Sequence, residues 1–210
     1  MSTTNATKQS PESSRELKSV KTRERILDAA ASVLSQRGYR GTRLGDVAKA
    51  ADLQAPAIYY YFGSLEELIE EVMWTGMARL REHVQGAISK LPAEMEPIDR
   101  ILAAIEAHLL FELTLSDYAT AAIRNAGQLP DSVRTRQAEE ESQYGLWWRG
   151  LFKEARAAGQ LRPGMDDHMA RMLVIGGLNW ASEWWSERVG THETLVSQTR
   201  DFVRAAIGDN

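Results

Sequence analysis

Cysteine is absent from the 210-residue chain, which excludes disulfide scaffolds, thiolate zinc sites, iron–sulfur clusters and cysteine nucleophiles. Its four histidines are His83, His108, His168 and His192. None pair at HxH or HxxxH spacing, so no metal site is expected. No stretch approaches the ~18 consecutive apolar residues of a membrane-crossing helix, and the first twenty residues lack the apolar centre of a secretory signal. A cytoplasmic protein without membrane contact is expected. Also missing are a glycine-rich phosphate loop and a GxSxG elbow. No catalytic residue, enzymatic activity or cofactor is therefore anticipated. The acidic pairs Glu66-Glu67 and Glu70-Glu71 fit a helix N-terminus and a solvated face instead.

What is present is an ordinary globular composition, 43% hydrophobic and 26% charged, enough to build a core. The net charge of −4 is unevenly spread. Residues 1–63 hold ten Lys/Arg against six Asp/Glu, and residues 64–210 hold fifteen against twenty-three. A basic head on an acidic body suits nucleic-acid binding, although chance drift along a soluble chain gives the same numbers.

Residues 1–19 are rich in Ser, Thr, Asn and Pro and predict a disordered, mobile arm. From Thr22 helical periodicity takes over. Ile26, Ala30, Val33 and Leu34 form one stripe of a helix over 21–37, ended by Gly38 as a left-handed C′ residue. Thr42 predicts the N-cap of a short second helix carrying Leu44, Val47, Ala48 and Ala51. Pro56 opens a two-turn third helix to Phe62, and Ser64 with Glu67 forms a capping box for a fourth helix reaching about Leu91. Further helices are expected over 95–114, 117–127, 131–159, 166–188 and 192–207. No segment alternates with period two. The reading is all-α, with about nine helices and no strands.

Two short helices around a tight turn cannot bury much alone and need the 21–37 helix beneath them. That is helix-turn-helix architecture, which leaves an exposed second helix of a diameter that fits the roughly 12 Å major groove. The run KTRERILDAAASVLSQRGYRGTRLGDVAKAADLQAPAIYYYFGSLEELIEEV resembles the N-terminal domain of tetracycline-repressor (TetR) family transcriptional regulators. Its marks are ILDAA, Gly38-Tyr39…Gly41-Thr42, Asp46-Val47-Ala48, Ile58-Tyr59-Tyr60-Tyr61-Phe62 and Glu66-Glu67-Leu68. Three positions depart from the family pattern: Asp52 stands for a common turn glycine, Tyr61 for a histidine, and Leu65 for a phosphate-contacting lysine. Asp52 tolerates a left-handed turn. The loss of a lysine shifts phosphate contact toward tyrosine hydroxyls, Arg43 and the helix amides after Ser64.

The resemblance implies a head over residues 20–80, with its motif at 43–62, and an effector-binding, dimerising body over 81–210. It implies that Thr42 and Arg43 meet phosphates, that Gln54, Ala55 and Ala57 face base edges, and that Tyr59, Tyr60 and Ser64 complete the DNA contact. One of the three tyrosines, Tyr61, is expected to be core. Lys18, Lys21 and Arg23 either steady the arm on DNA or form a solvated charge run.

In the body, Met169, Met172, Leu173, Gly176 and Trp180 form one apolar stripe, and Val174, Leu178, Ala181 and Trp185 another. Leu195, Thr199, Phe202, Val203 and Ala206 give the last helix its own stripe. By the same resemblance, helices 166–188 and 192–207 pair with their twofold mates in a homodimer, matching a palindromic double-stranded operator. An apolar-walled effector pocket is expected among His108, Phe111, Tyr118, Arg124, Tyr144, Trp147, Trp148, Asn179 and Trp180, with Glu112 and Asn125 as further polar groups. Packing and dimer contact compete for the same aromatics. The pieces LFKEARAAGQLRPGMD and VIGGLNWASEWW resemble members that respond to fatty-acyl or steroid-derived coenzyme A thioesters, implying a small apolar effector of acyl thioester type. The leading expectation is a repressor released by that effector. A ligand-independent DNA binder and an activator of the same fold stay open beside it.

Overall fold

A computed structural model describes residues 11–131 and 134–209. The described chain is helical: α1 (Pro11–Gly41), α2 (Leu44–Ala50), α3 (Ala55–Tyr59), α4 (Leu65–Ile88), α5 (Pro97–Leu110), α6 (Asp117–Asn125), α7 (Thr135–Ala157), α8 (Asp167–Trp184) and α9 (His192–Ile207). Among the described residues, extended backbone pairs only in an isolated bridge between Leu161 and Gly208. The all-α expectation holds.

The long α4 organises the packing. Leu68, Ile69, Val72, Met73, Met77, Leu80 and Val84 are buried along it at the three- and four-residue spacing that keeps side chains on one side of a helix. Helices α1, α5, α6 and α7 all pack on α4, and α1 also lies against α6. One hydrophobic cluster therefore runs from Ile26 and Leu34 through α4 to Trp148 and Phe152. Where α4 crosses α6 the approach is close: a Cβ on Gly76 would run into the Tyr118 carbonyl.

Several boundaries differ from those read in the sequence. Helix α1 starts at Pro11, so residues 11–19, expected to be a disordered arm, are helical. Residues 1–10 of that arm lie outside the described residues. Proline suits a first turn, and Glu16, Leu17 and Lys18 are good helix formers that need no buried face; all three are exposed. At Gly38 the backbone has φ 69° and ψ 172°, not the left-handed helical pair expected but an extended positive-φ region that glycine alone adopts readily. The N-cap of α2 is Arg43, with no side-chain cap, because the Thr42 hydroxyl donates back to the Gly38 carbonyl at 2.9 Å. Helix α5 passes into a five-residue π-helical turn at Phe111–Leu115, and α8 ends at Trp184 rather than near residue 188.

Candidate nucleic-acid interface and effector chamber

Helix α3 has five residues, far short of the ~12–15 that an isolated helix needs to persist in water. Packing holds it. Ile58 is fully buried and Phe62 nearly so, while Leu53 and Tyr61 pack against the same core. Burial of a side chain such as Ile58 contributes roughly 1.5–3 kcal/mol. The turn between α2 and α3 is closed by Asp52 at φ 52°, as its tolerance of positive φ predicts.

With Ile58 turned inward, the opposite side of the motif is open. Tyr59 is 57% and Tyr60 83% exposed; Arg43 and Gln54 are exposed, and Ala55 and Ala57 are half-buried. Gly45, Lys49, Asp52, Gln54, Ala55 and Ala57 border one shallow hollow between α2 and α3. The Arg43 guanidinium donates to the Arg40 and Thr42 carbonyls at 2.8 and 3.2 Å. Ser64 is half-buried, and its hydroxyl accepts from the Glu67 amide at 3.0 Å. The Glu67 carboxylate answers by accepting from the Gly63 amide at 2.8 Å. The expected phosphate contact from the Thr42 side chain is corrected. Thr42 is 1% exposed, its hydroxyl is spent on Gly38, and its amide donates to the Tyr39 carbonyl.

Between α4, α5, α6, α7 and α8 lies a partly open chamber of about 230 Å³. Met77, Leu80, Ile123, Met172 and Ile175 give it apolar walls, and His108, Tyr144, Asn179, Glu141 and Arg171 supply polar points. His108 is buried, with Nε2 3.2 Å from Glu112 Oε2 and Nδ1 3.1 Å from the Tyr144 hydroxyl. Neither His108 Nε2 nor either Glu112 carboxylate oxygen completes a hydrogen bond there. Burial, with the Glu112 charge adding to it, pushes the Tyr144 phenol upward, so it stays a neutral donor.

Of the nine expected effector residues, His108, Tyr144 and Asn179 line this chamber. Six are corrected. Phe111 packs on the His83 ring at 4.8 Å. Tyr118 donates to Asp28 of α1 at 2.8 Å beneath the Arg79 guanidinium. Arg124 binds Glu183 and the Ser35 carbonyl. Trp147 stacks outside Tyr144 at 5.9 Å, and Trp148 is a fully buried core residue. Trp180, 65% exposed, lines an outer apolar groove of about 800 Å³ between α8 and α9 with Met169, Leu173, Trp184 and Phe202. Asn125 is likewise taken up by α1, where its Oδ1 accepts from the Tyr39 amide.

Residues 26–72 match the family model "Bacterial regulatory proteins, tetR family", and residues 94–203 match the model "Tetracyclin repressor-like, C-terminal domain". The chain belongs to the TetR family. The HTH-type transcriptional repressor KstR2 of Rhodococcus jostii is 35% identical to this TetR-family chain, over 86% of it and 88% of the relative. The fatty acid metabolism regulator protein of Bacillus subtilis is 24% identical over 76% of the chain and 81% of the relative. Among solved structures, AibR in complex with isovaleryl coenzyme A and operator DNA shares the fold, with a TM-score of 0.78 at 21% identity over 86% and 97% of the two chains.

Sequence reasoning missed Arg171, which in this TetR-family chain is only 6% exposed. Its signal was available. Arg171 lies three and four residues before Val174 and Ile175 on an apolar helix, so helical spacing puts it on a face shared with them. Among the described residues no helix is long and apolar enough to cross a membrane.

Proposed function

We propose that this TetR-family regulator is a homodimeric repressor whose heads read a palindromic operator and whose body releases it when a small hydrophobic effector enters the chamber. Residues of about 20–80 form the head, with its motif at 43–62, and residues 81–210 the effector-binding and dimerising body. The observation that carries this reading is the anchored but open α3: Ile58 is buried while Gln54, Tyr59 and Tyr60 stand exposed on the other side. A rod held in that way fits a major groove, where Gln54 can pair bidentately with adenine and the tyrosines reach phosphate or a thymine methyl. Ala55 and Ala57 allow close approach, and Arg43 and the capped N-terminus of α4 beside Ser64 add phosphate contacts.

Two heads require a second copy. The outer face of α8 and α9 supports one, since Met169, Leu173, Trp180 and Phe202 are each more than half exposed on one groove. Exposed patches of that kind mark interaction surfaces. Its self-complementary use by a twofold mate sets the heads to meet half-sites one helical turn, about 34 Å, apart.

The chamber supports an acyl-type effector, by its apolar walls and by the isovaleryl coenzyme A bound to the fold relative AibR. Helix α6 is its route to the head. Ile123 and Ala126 are chamber wall, and between them Arg124 and Asn125 hold the Ser35 carbonyl and the Tyr39 amide of α1. A ligand that displaces the wall also displaces that clasp. Release follows if the effector binds the displaced state better by a few kcal/mol.

The test is Leu173→Glu with Phe202→Glu, two exposed positions whose exchange leaves the core intact. Sedimentation should show half the wild-type mass, and operator binding should fall at least about tenfold. A variant that keeps its dimer mass, or a monomer that binds the operator with wild-type affinity, contradicts the reading.

A further inference from the structure

From Ala50 to Ala78 the chain holds no lysine or arginine, although that stretch spans all of α3 and the start of α4. Its charged residues are the carboxylates Asp52, Glu66, Glu67, Glu70 and Glu71. A rod lying between two phosphate strands needs cations close by, because phosphate contact supplies a large share of duplex affinity. Those cations must come from the flanks. On one side Arg40, Arg43 and Lys49 are exposed around α2. The other side is the N-terminus of α4, which brings none of its own.

Helix α1 runs beside α4 in the same sense. Arg23 pairs with Glu71 at 3.1 Å, and its guanidinium lies 4.9 Å over the Phe62 ring. Further along, Asp28 meets Tyr118, whose ring lies beneath Arg79 and whose carbonyl faces Gly76. At about 1.5 Å per residue, Ser64 lies roughly 10 Å ahead of Glu71, and Pro11 roughly 18 Å ahead of Arg23. The start of α1 therefore projects about 8 Å past the capped end of α4, with Lys18 and Lys21 alongside that end. Both lysines are exposed, and their spacing puts them on one face. Arg23 is spent on Glu71. Among the described residues no carboxylate pairs with Lys18 or Lys21, the neighbouring Glu24 included.

We propose that the first turns of α1 form a second phosphate-binding edge of the head. Lys18 and Lys21 hold the duplex backbone on the α4 side of α3, while Arg40, Arg43 and Lys49 hold it on the α2 side. The stretch is helical from Pro11, and a helix about 10–12 Å across is too wide for a minor groove of about 6 Å. It rests on the phosphate ridge instead of threading the groove. The partner is B-form DNA, gripped without regard to sequence. This inference rests on the regulator reading above.

Fluorescence anisotropy on the full chain tests it, with a labelled mixed-sequence duplex of about three helical turns titrated over a range of salt concentrations. Lys18→Gln with Lys21→Gln should lower affinity at low salt about tenfold or more. The slope of log affinity against log salt should fall by about 1.8 for each head engaged, at about 0.9 per phosphate contact. Melting temperature and dimer mass should stay unchanged, since both positions are exposed. Lys18→Arg with Lys21→Arg should keep affinity and slope. Lys90→Gln, an exposed cation past the far end of α4, should leave both unchanged. The loss in the glutamine pair should be as large on mixed-sequence duplex as on an operator recovered by selection. An unchanged slope in that pair, an equal loss from Lys90→Gln or from the arginine pair, or a loss confined to the operator overturns the second edge. Any of these with wild-type duplex binding intact sinks this inference alone; wild-type protein that ignores duplex DNA sinks the regulator reading and this inference with it.

Discussion

The side-chain carbonyl of Asn125 accepts a 2.7 Å hydrogen bond from the backbone amide of Tyr39, 86 residues earlier in the chain. Its amide nitrogen donates to the Ala121 carbonyl at 2.8 Å and reaches the Leu34 carbonyl at 3.5 Å. The end of α1 is therefore finished by a residue of α6, at the place where Gly38 breaks the helix. Removing one buried partner leaves the others unsatisfied at a cost of about 1–3 kcal/mol. Asn125→Ala should lower the melting temperature by several degrees, at roughly 2–4 °C per kcal/mol. It should also weaken the effect of effector on operator binding. Scanning calorimetry and a binding titration with and without effector check both effects.

Gly76 makes a second prediction. Its Cβ would collide with backbone of α6 at Tyr118 and sit 2.9 Å from the Ala122 methyl. Backbone cannot swing aside as a flexible side chain can, so Gly76→Ala should destabilise by about 1–3 kcal/mol or more. Gly86→Ala, on the same helix with open space around it, should stabilise by about 0.5–1 kcal/mol. Urea midpoints of the two variants should move in opposite directions.

Glu71 joins three helices, pairing with Arg23 of α1 at 3.1 Å and Arg136 of α7 at 2.7 Å. Burial raises its pKa, but the bonds and charges of Arg136 and Arg23 outweigh it and hold the carboxyl below its ordinary 4.5. The folded value lies under the unfolded one. The stabilisation is thus complete above about pH 4.5 and is lost as pH falls through the folded value. Both arginines are partly exposed, which limits the pair to about 0.5–1 kcal/mol. Glu71→Gln should cost that much at pH 7, and the gap in urea midpoint to wild type should close on acidification below pH 4.5.

On the head, Tyr60→Ala and Gln54→Ala should each weaken operator binding without altering dimer mass or stability, since both side chains are exposed. Loss of one good base contact costs about 1–3 kcal/mol and relaxes preference at one position. Equal loss on operator and random duplex would remove Gln54 from base reading. Competition titrations at fixed salt distinguish the cases.

Helical periodicity, caps and turn residues made the elements legible because those signals are local: Ile58 inward follows from spacing, whereas Tyr59 and Tyr60 outward came from the family resemblance. Thr42 misled because a threonine after a helix end can cap forward or bond back, and four residues behind it lay the Gly38 carbonyl. Tyr118, Arg124 and Asn125 look like pocket groups by type, yet their partners on α1 lie 86 to 90 residues away. No local pattern reports such a distance. Trp180 illustrates the same limit: its helix carries apolar residues on several sides, and only packing decides which one meets the chamber.

Selection of bound sequences from a random duplex pool at low ionic strength tests the central claim most directly. A twofold pair of anchored α3 rods should enrich an inverted repeat whose half-site centres lie about 34 Å, one helical turn, or a multiple of it apart. Gln54→Ala should change the preferred base at symmetric positions in both halves. Enrichment of nothing, or of one unpaired half-site, contradicts the account.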